Sequence, residues 1–227
     1  MIQSLKRNQN GVTLIELMIA LSLGIIVTFM TIKVYVDHRQ AFRLIDATNR
    51  LQENGRLAIE FLSINIREAA YNCTNTTSST CLTGVNSTTD SITFDDVDSD
   101  TKKFLISNGE NGKSLFFDDG DSTNGTGTEE YVEGIENMQI LYGEDTDNDK
   151  IPNYYVPYGT SGLSLDNVVS VRISLLAQSV ETGVSSSVQT VEYDNDDDGI
   201  KETESASNGR LLKVFNTTIQ IRNRVLN

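Results

Sequence analysis

The densest chemistry in this 227-residue sequence lies in two runs of alternating aspartates. Asp145, Asp147 and Asp149 stand at i, i+2 and i+4. Asp194, Asp196 and Asp198 repeat the spacing, with Gly199 after the third carboxylate and Glu202 beyond. Three carboxylates on one tight loop repel each other unless a hard cation sits among them, and Ca2+ gathers about 6–8 oxygens. Lys150 stands where the first run would need its turn glycine, and neither run has Glu at the twelfth position, so neither is a regular EF-hand loop. Two readings stay open: a structural Ca2+ at each loop, or solvated acidic turns on an acidic protein. Asp95, Asp96, Asp98 and Asp100, and Asp118, Asp119 and Asp121, are looser and read as surface loops.

Other chemistry is scarce. The chain has one histidine, two cysteines and no tryptophan, so a Cys/His zinc site or a histidine-based triad has almost no material. His38 follows a long apolar run and reads as a solvent-facing residue, not a base. No Gly-rich phosphate loop or nucleophile motif occurs, and no enzymatic activity is expected. The net charge of -14 repels phosphate backbones, so no nucleic-acid partner is expected.

Charge divides the chain. Residues 1–70 hold 8 basic and 6 acidic side chains; residues 71–227 hold 10 and 26. After a polar start with Lys6 and Arg7, Leu17 to Ile32 are uncharged and mostly apolar, and Val12 to Val36 contain only Glu16 and Lys33 as charges. That span makes roughly 37 Å of helix, enough to cross a hydrocarbon core of about 30 Å. The basic start predicts a cytoplasmic N-terminus and a body outside the inner membrane. A cleaved secretory signal would need a shorter apolar region and a small-residue site after it; here KVYVDHRQAFR follows. Glu16 is the anomaly. An ionised carboxylate one turn inside an apolar segment costs about 2.5 kcal/mol or more, so it requires a partner.

Gly11-Val12-Thr13-Leu14-Ile15-Glu16-Leu17-Met18, behind a basic leader and ahead of the apolar run, resembles the signal of type IV prepilins and pseudopilins. The resemblance implies that a prepilin peptidase cuts after Gly11 and methylates the new amine of Val12. It also implies that Glu16 neutralises the N-terminal ammonium of a neighbouring subunit. The family usually has Phe where this chain has Val12. Further matches narrow the reading: Leu51-Gln52-Glu53-Asn54-Gly55-Arg56, Tyr71-Asn72-Cys73, Val132-Glu133-Gly134-Ile135-Glu136-Asn137-Met138-Gln139, Val169 to Leu176 and Val214 to Arg224. Together these resemble the PilW family of minor pilins, with residues 74–130 the least matched.

The organisation expected is a leader over 1–11, a membrane- or filament-embedded half-helix over 12–36, an amphipathic half over 37–70 and an acidic β-rich head over 71–227. In the second half Phe42, Ile45, Leu51, Ala58, Phe61, Leu62 and Ile66 approach helical spacing. Gly24 and Gly55 weaken the helix by about 1 kcal/mol each. In the head, short β-prone runs fall at 91–94, 103–107, 114–117, 130–132, 136–142, 154–156, 168–176, 188–193 and 211–222. The alternation in 168–176 and 211–222 predicts two central antiparallel strands, each with one face on the helix. The fold class is therefore α+β, a long helix packed on an antiparallel sheet, as the pilin resemblance also implies. Cys73 and Cys81, placed outside the inner membrane by this topology, are expected to form a disulfide; their spacing is not that of a redox pair.

The function expected is that of a non-catalytic minor pilin that primes type IV pilus assembly near the filament tip. Its expected partners are other minor and major pilins, the prepilin peptidase, the inner-membrane assembly platform, the inner membrane itself and a tip adhesin. Two alternatives share the anchor: a minor pseudopilin of type II secretion, and a calcium-dependent adhesion module.

Overall fold

The computed structural model describes residues 11–69, 82–85, 91–95, 101–120, 128–194 and 201–225. Residues 1–10 of the expected leader, Cys73, Cys81, Asp196 and Asp198 lie outside these residues. The chain divides into two units, 1–43 and 44–227.

One helix, α1 (Leu14–Glu68), contributes to both units. In the first unit every described side chain is exposed. A helix apolar on all sides with nothing packed on it is built for lipid or for like helices, not for water. It is long and apolar enough to cross a membrane. Three of its hydroxyls are turned inward on the backbone: Ser22 Oγ donates to Met18 O at 2.8 Å, Thr28 Oγ1 to Gly24 O at 2.8 Å and Thr31 Oγ1 to Val27 O at 2.9 Å. Each of these three is thus satisfied without water, which removes most of the cost of placing it in an apolar medium.

In the second unit α1 buries Ala47, Leu51, Gly55, Ala58, Leu62 and Ile66. The steps of four and three keep these residues on one stripe. Phe42 and Ile45, expected on that face, are 70% and 56% exposed; Ala47 and Gly55 take part instead. The helix ends by a tightened last turn, with Ala69 N–H donating to Ile66 O at 3.1 Å. Asn223, in the four-residue α2 (Arg222–Val225), donates to Glu68 O and Ala69 O at 2.9 and 3.1 Å. Carbonyls left open at the helix end are thereby satisfied from the far end of the chain.

Among the described residues the head forms two antiparallel sheets and a ribbon. The first sheet is a meander of β1 (Leu82–Val85), β2 (Ser91–Asp95), β3 (Thr101–Gly109), β4 (Gly112–Asp118) and β5 (Glu129–Glu133). The second has the order β11-β8-β6-β7, built from β6 (Ile135–Glu144), β7 (Tyr154–Pro157), β8 (Val168–Gln178) and β11 (Leu212–Gln220). The ribbon pairs β9 (Thr190–Tyr193) with β10 (Glu202–Ser205). All nine strand-prone runs fall on observed strands; β1 and β10 were not anticipated.

β8 is central, as expected, with Val171, Ile173 and Leu175 fully buried on the face that its alternation marks. β11 is not: among the described residues it lies at the edge, paired with β8 alone, and the strand stops at Gln220 because α2 begins at Arg222. Alternation reports which face is buried, not how many neighbours a strand has.

The α1 stripe serves both sheets. Phe61 stacks on Tyr131 of β5 at 3.5 Å and meets Phe104 and Phe117 edge-on at 5.4 and 5.2 Å. Farther up the helix, the Phe215 ring of β11 lies over Gly55, so closely that a Cβ there would be 2.2 Å from Phe215 Cε2. The aromatic cluster on the first sheet and the Phe215 contact on the second hold both against one helix, each ring pair adding roughly 0.5–1.5 kcal/mol beyond its buried area.

Candidate functional site

At the start of α1, Gly11, Val12 and Thr13 are non-helical and exposed. Thr13 is the N-cap. Its N–H and Oγ1–H both donate to Glu16 Oε2, at 3.2 and 3.1 Å, and Glu16 N–H donates back to Thr13 Oγ1 at 3.3 Å. This is a reciprocal capping box, in which two open N–H groups of the first turn are satisfied by side chains. The carboxylate also lies at the positive end of the helix dipole. The partner Glu16 requires is therefore supplied in part from its own chain. The T-x-x-E spacing carried that signal, and Thr13 is the residue the sequence reading passed over.

The segment Leu51 to Arg56 resolves into separate tasks. Leu51 is buried in the core. Asn54 Nδ2 donates to Glu133 O at 3.2 Å, tying the helix to the end of β5. Gly55 admits the Phe215 ring. Arg56 bridges Glu53 at 2.8 Å and Glu60 at 2.9 Å along the exposed helix face. The Arg56 guanidinium, by hydrogen bond and then by charge, holds the Glu53 carboxyl below the usual carboxylate range.

Gly134, the one residue between β5 and β6, has φ +76°, a conformation open to glycine at little cost. Its N–H donates to Lys113 O of β4 at 3.0 Å, and its C=O accepts from Gln178 N–H of β8 at 2.8 Å. One residue thus bonds to both sheets, through the two peptide groups that flank its Cα.

Of the two aspartate runs, the structure brings the first together. Asp145, Asp147 and Asp149 sit in the β6–β7 loop with a carboxylate oxygen from each within 4.8 Å of the others. Asp145 is only 6% exposed. Its Oδ1 accepts from Asn148 N–H at 2.6 Å and Asp149 N–H at 3.3 Å, and its Oδ2 from Lys150 N–H at 2.8 Å. Burial alone would raise the Asp145 pKa; the backbone donors of Lys150, Asn148 and Asp149 outweigh it and hold the group below its ordinary value. Lys150 does not prevent the turn: Asn148 and Lys150 take φ 64° and 70°. The base of the loop is closed by Thr146, which donates through N–H and Oγ1 to Asn153 Oδ1, and by Tyr154 Oη, which donates to buried Glu144 at 2.5 Å. Three clustered carboxylates are the donor set a hard, oxygen-seeking cation uses. Of the second run, Asp194 and Glu202 are described, at the end of β9 and the start of β10. Asp196 and Asp198 lie outside the described residues, as do Cys73 and Cys81.

Comparison with known protein families gives two matches. A family model described as Type IV Pilus-assembly protein W matches residues 103–223, which run from β3 to α2. A model described as the prokaryotic N-terminal methylation motif matches residues 6–32, which include Gly11, Val12 and Glu16. Neither a curated protein nor a solved structure matches the chain.

Proposed function

Because the chain belongs to the type IV pilus-assembly protein W family, and serves type IV pilus assembly as a membrane-anchored minor pilin, we propose that it acts early, priming the filament and residing near its tip with other minor pilins. The observation that carries this reading is the pairing of a capped, carboxylate-bearing start with an exposed apolar helix, on a chain whose described head residues are packed in their own core. Such a helix is stable in two settings only, a bilayer or a bundle of similar helices, and assembly is the transfer between them.

In this reading a prepilin peptidase cuts after Gly11 on the cytoplasmic side and methylates Val12. The cut leaves Thr13 and Glu16 intact, so the capping box still orders the first turn. It also creates an ammonium beside that turn. A carboxylate and an ammonium in a medium of low dielectric each cancel the other's unpaired-charge cost. Glu16 then sets the axial register by accepting the ammonium of a neighbouring subunit. The chain carries no catalytic role here. The other pilins and the inner-membrane platform are its partners, and Cys73 and Cys81 close a disulfide at the exit from the helix. The Asp145, Asp147 and Asp149 turn has a structural part, with Ca2+ the cation its donors fit.

Mass spectrometry of the protein purified from a piliated cell tests the reading. The expected product begins at methylated Val12. A product that keeps residues 1–11 overturns it.

A further inference from the structure

β11 is an edge of a kind the other described edges of the head avoid. A sheet edge presents a row of open N–H and C=O groups, and proteins blunt it by shortness, charge or proline. β1 and β10 have four residues each. β7 is equally short and ends in Pro157. β5 carries Glu129, Glu130 and Glu133. β11 has nine residues, pairs with β8 without a bulge, and holds neither charge nor proline from Val214 to Gln220.

The direction of its backbone groups follows from two bonds. Ser179 N–H donates to Leu211 O, and Ile221 N–H to Val169 O, each at 2.9 Å. Residues of an antiparallel strand alternate in facing their partner. The odd-numbered residues of β11 therefore face β8, and the even-numbered ones face away. Leu212 fits this: its N–H points outward and donates to Gln189 Oε1 at 3.4 Å. Val214, Asn216, Thr218 and Gln220 follow, and no hydrogen bond among the described residues uses their backbone groups. The side chains of Asn216, Thr218 and Gln220 are exposed.

Beside this edge runs a cleft of about 580 Å³ between α1 and β11, with Gln52, Arg56 and Ile59 on one wall and Lys213 and Phe215 on the other. We propose that β11 accepts an extended strand from a different polypeptide, whose backbone pairs with Val214 to Gln220 and whose alternate, apolar side chains enter the cleft over Ile59 and Phe215. Only a strand offers donors and acceptors at the repeat of this edge; the main chain supplies affinity and the cleft supplies selectivity. A second copy of this chain is disfavoured by charge, because residues 71–227 carry 10 basic against 26 acidic side chains. That the partner is another pilin-like subunit rests on the function proposed above; the open edge does not.

Hydrogen exchange resolved at single amides tests this on the full, unaltered chain in detergent micelles, alone and in complex with co-expressed pilin-like subunits of the same cell. Alone, the amides of Val214, Asn216, Thr218 and Gln220 exchange freely while those of Phe215, Thr217 and Ile219 are protected. In the complex all four outward amides slow by roughly tenfold or more. Asn216→Pro removes one outward N–H and no bond to β8, and lowers recovery of the co-purified subunits about tenfold. The proposal is overturned if the outward amides are protected in the chain alone, if they stay fast in the complex, if only a second copy of the chain protects them, or if a folded Asn216→Pro protein recovers its partners normally. A chain that keeps its first 11 residues sinks the pilin reading. Fast outward amides in a processed, assembled chain sink this one alone.

Discussion

Thr13 and Glu16 hold each other in a box, and that separates two jobs of one carboxylate. Glu16→Gln keeps an acceptor for Thr13 and removes the charge; Glu16→Ala removes both. If charge pairing sets the register, both variants are cut normally and both fail to support piliation, as pilus yield and N-terminal mass will report together. Normal piliation by a processed Glu16→Gln protein would show that the cap suffices. Thr13→Ala should cost about 1 kcal/mol of local helix stability, read as faster amide exchange in the first turn. At Gly55 the expectation is the reverse of helix propensity. Ala is the better helix former by about 1 kcal/mol, yet its Cβ would collide with the Phe215 ring. Overpacking of this kind costs about 1–3 kcal/mol, so Gly55→Ala should lower the head's melting temperature. A rise would mean that Phe215 swings aside into the neighbouring cleft. The T-x-x-E spacing was legible in the sequence, whereas the need for glycine at position 55 was not: the ring that imposes it lies on the last strand.

The elements show the same division between local and distant causes. The nine strand-prone runs and the α1 stripe around Leu51, Ala58, Leu62 and Ile66 follow from periodicity, which a sequence displays directly. The edge position of β11 depends on the pairing order, which alternation does not encode. β10, with its Glu-Thr-Glu-Ser composition, lacks the residues that announce a strand, and forms because β9 lies beside it. The β6–β7 loop offers a test by acid. Asp145 has a folded-state pKa below its unfolded value of about 3.9. Its contribution is complete above that value and disappears as pH falls below it through the folded pKa. The melting temperature of the head should therefore drop more steeply below about pH 4 in the native protein than in Asp145→Asn, with little difference in slope near neutrality. Equal slopes would remove Asp145 as the closing group of the loop. Calcium chelation at neutral pH should lower the native melting temperature and leave that of a protein lacking the Asp147 and Asp149 carboxylates unchanged.

Across the whole chain, composition and charge divide what the membrane or filament takes from what faces water. The first 43 residues are exposed where described, and the core is built by the rest. The pilin-like class was legible because its two signs, a carboxylate inside an apolar run and a long helix before strand-rich sequence, are both local. The division between the two sheets was not, because it turns on Gly134. Gly134→Ala tests that point. The residue needs φ +76°, and a Cβ would stand 2.5 Å from Gln178 O. The expected loss exceeds the roughly 1 kcal/mol of a left-handed backbone strain alone, read as a lower denaturant midpoint in urea.

Gly134 has a mechanical consequence as well. Its two ends are fastened to different sheets, by Lys113 on one side and Gln178 on the other. A pull that slides one layer over the other must strain both bonds at once. The residue works as a rivet, and the head should give way under load in a single rupture event, not layer by layer.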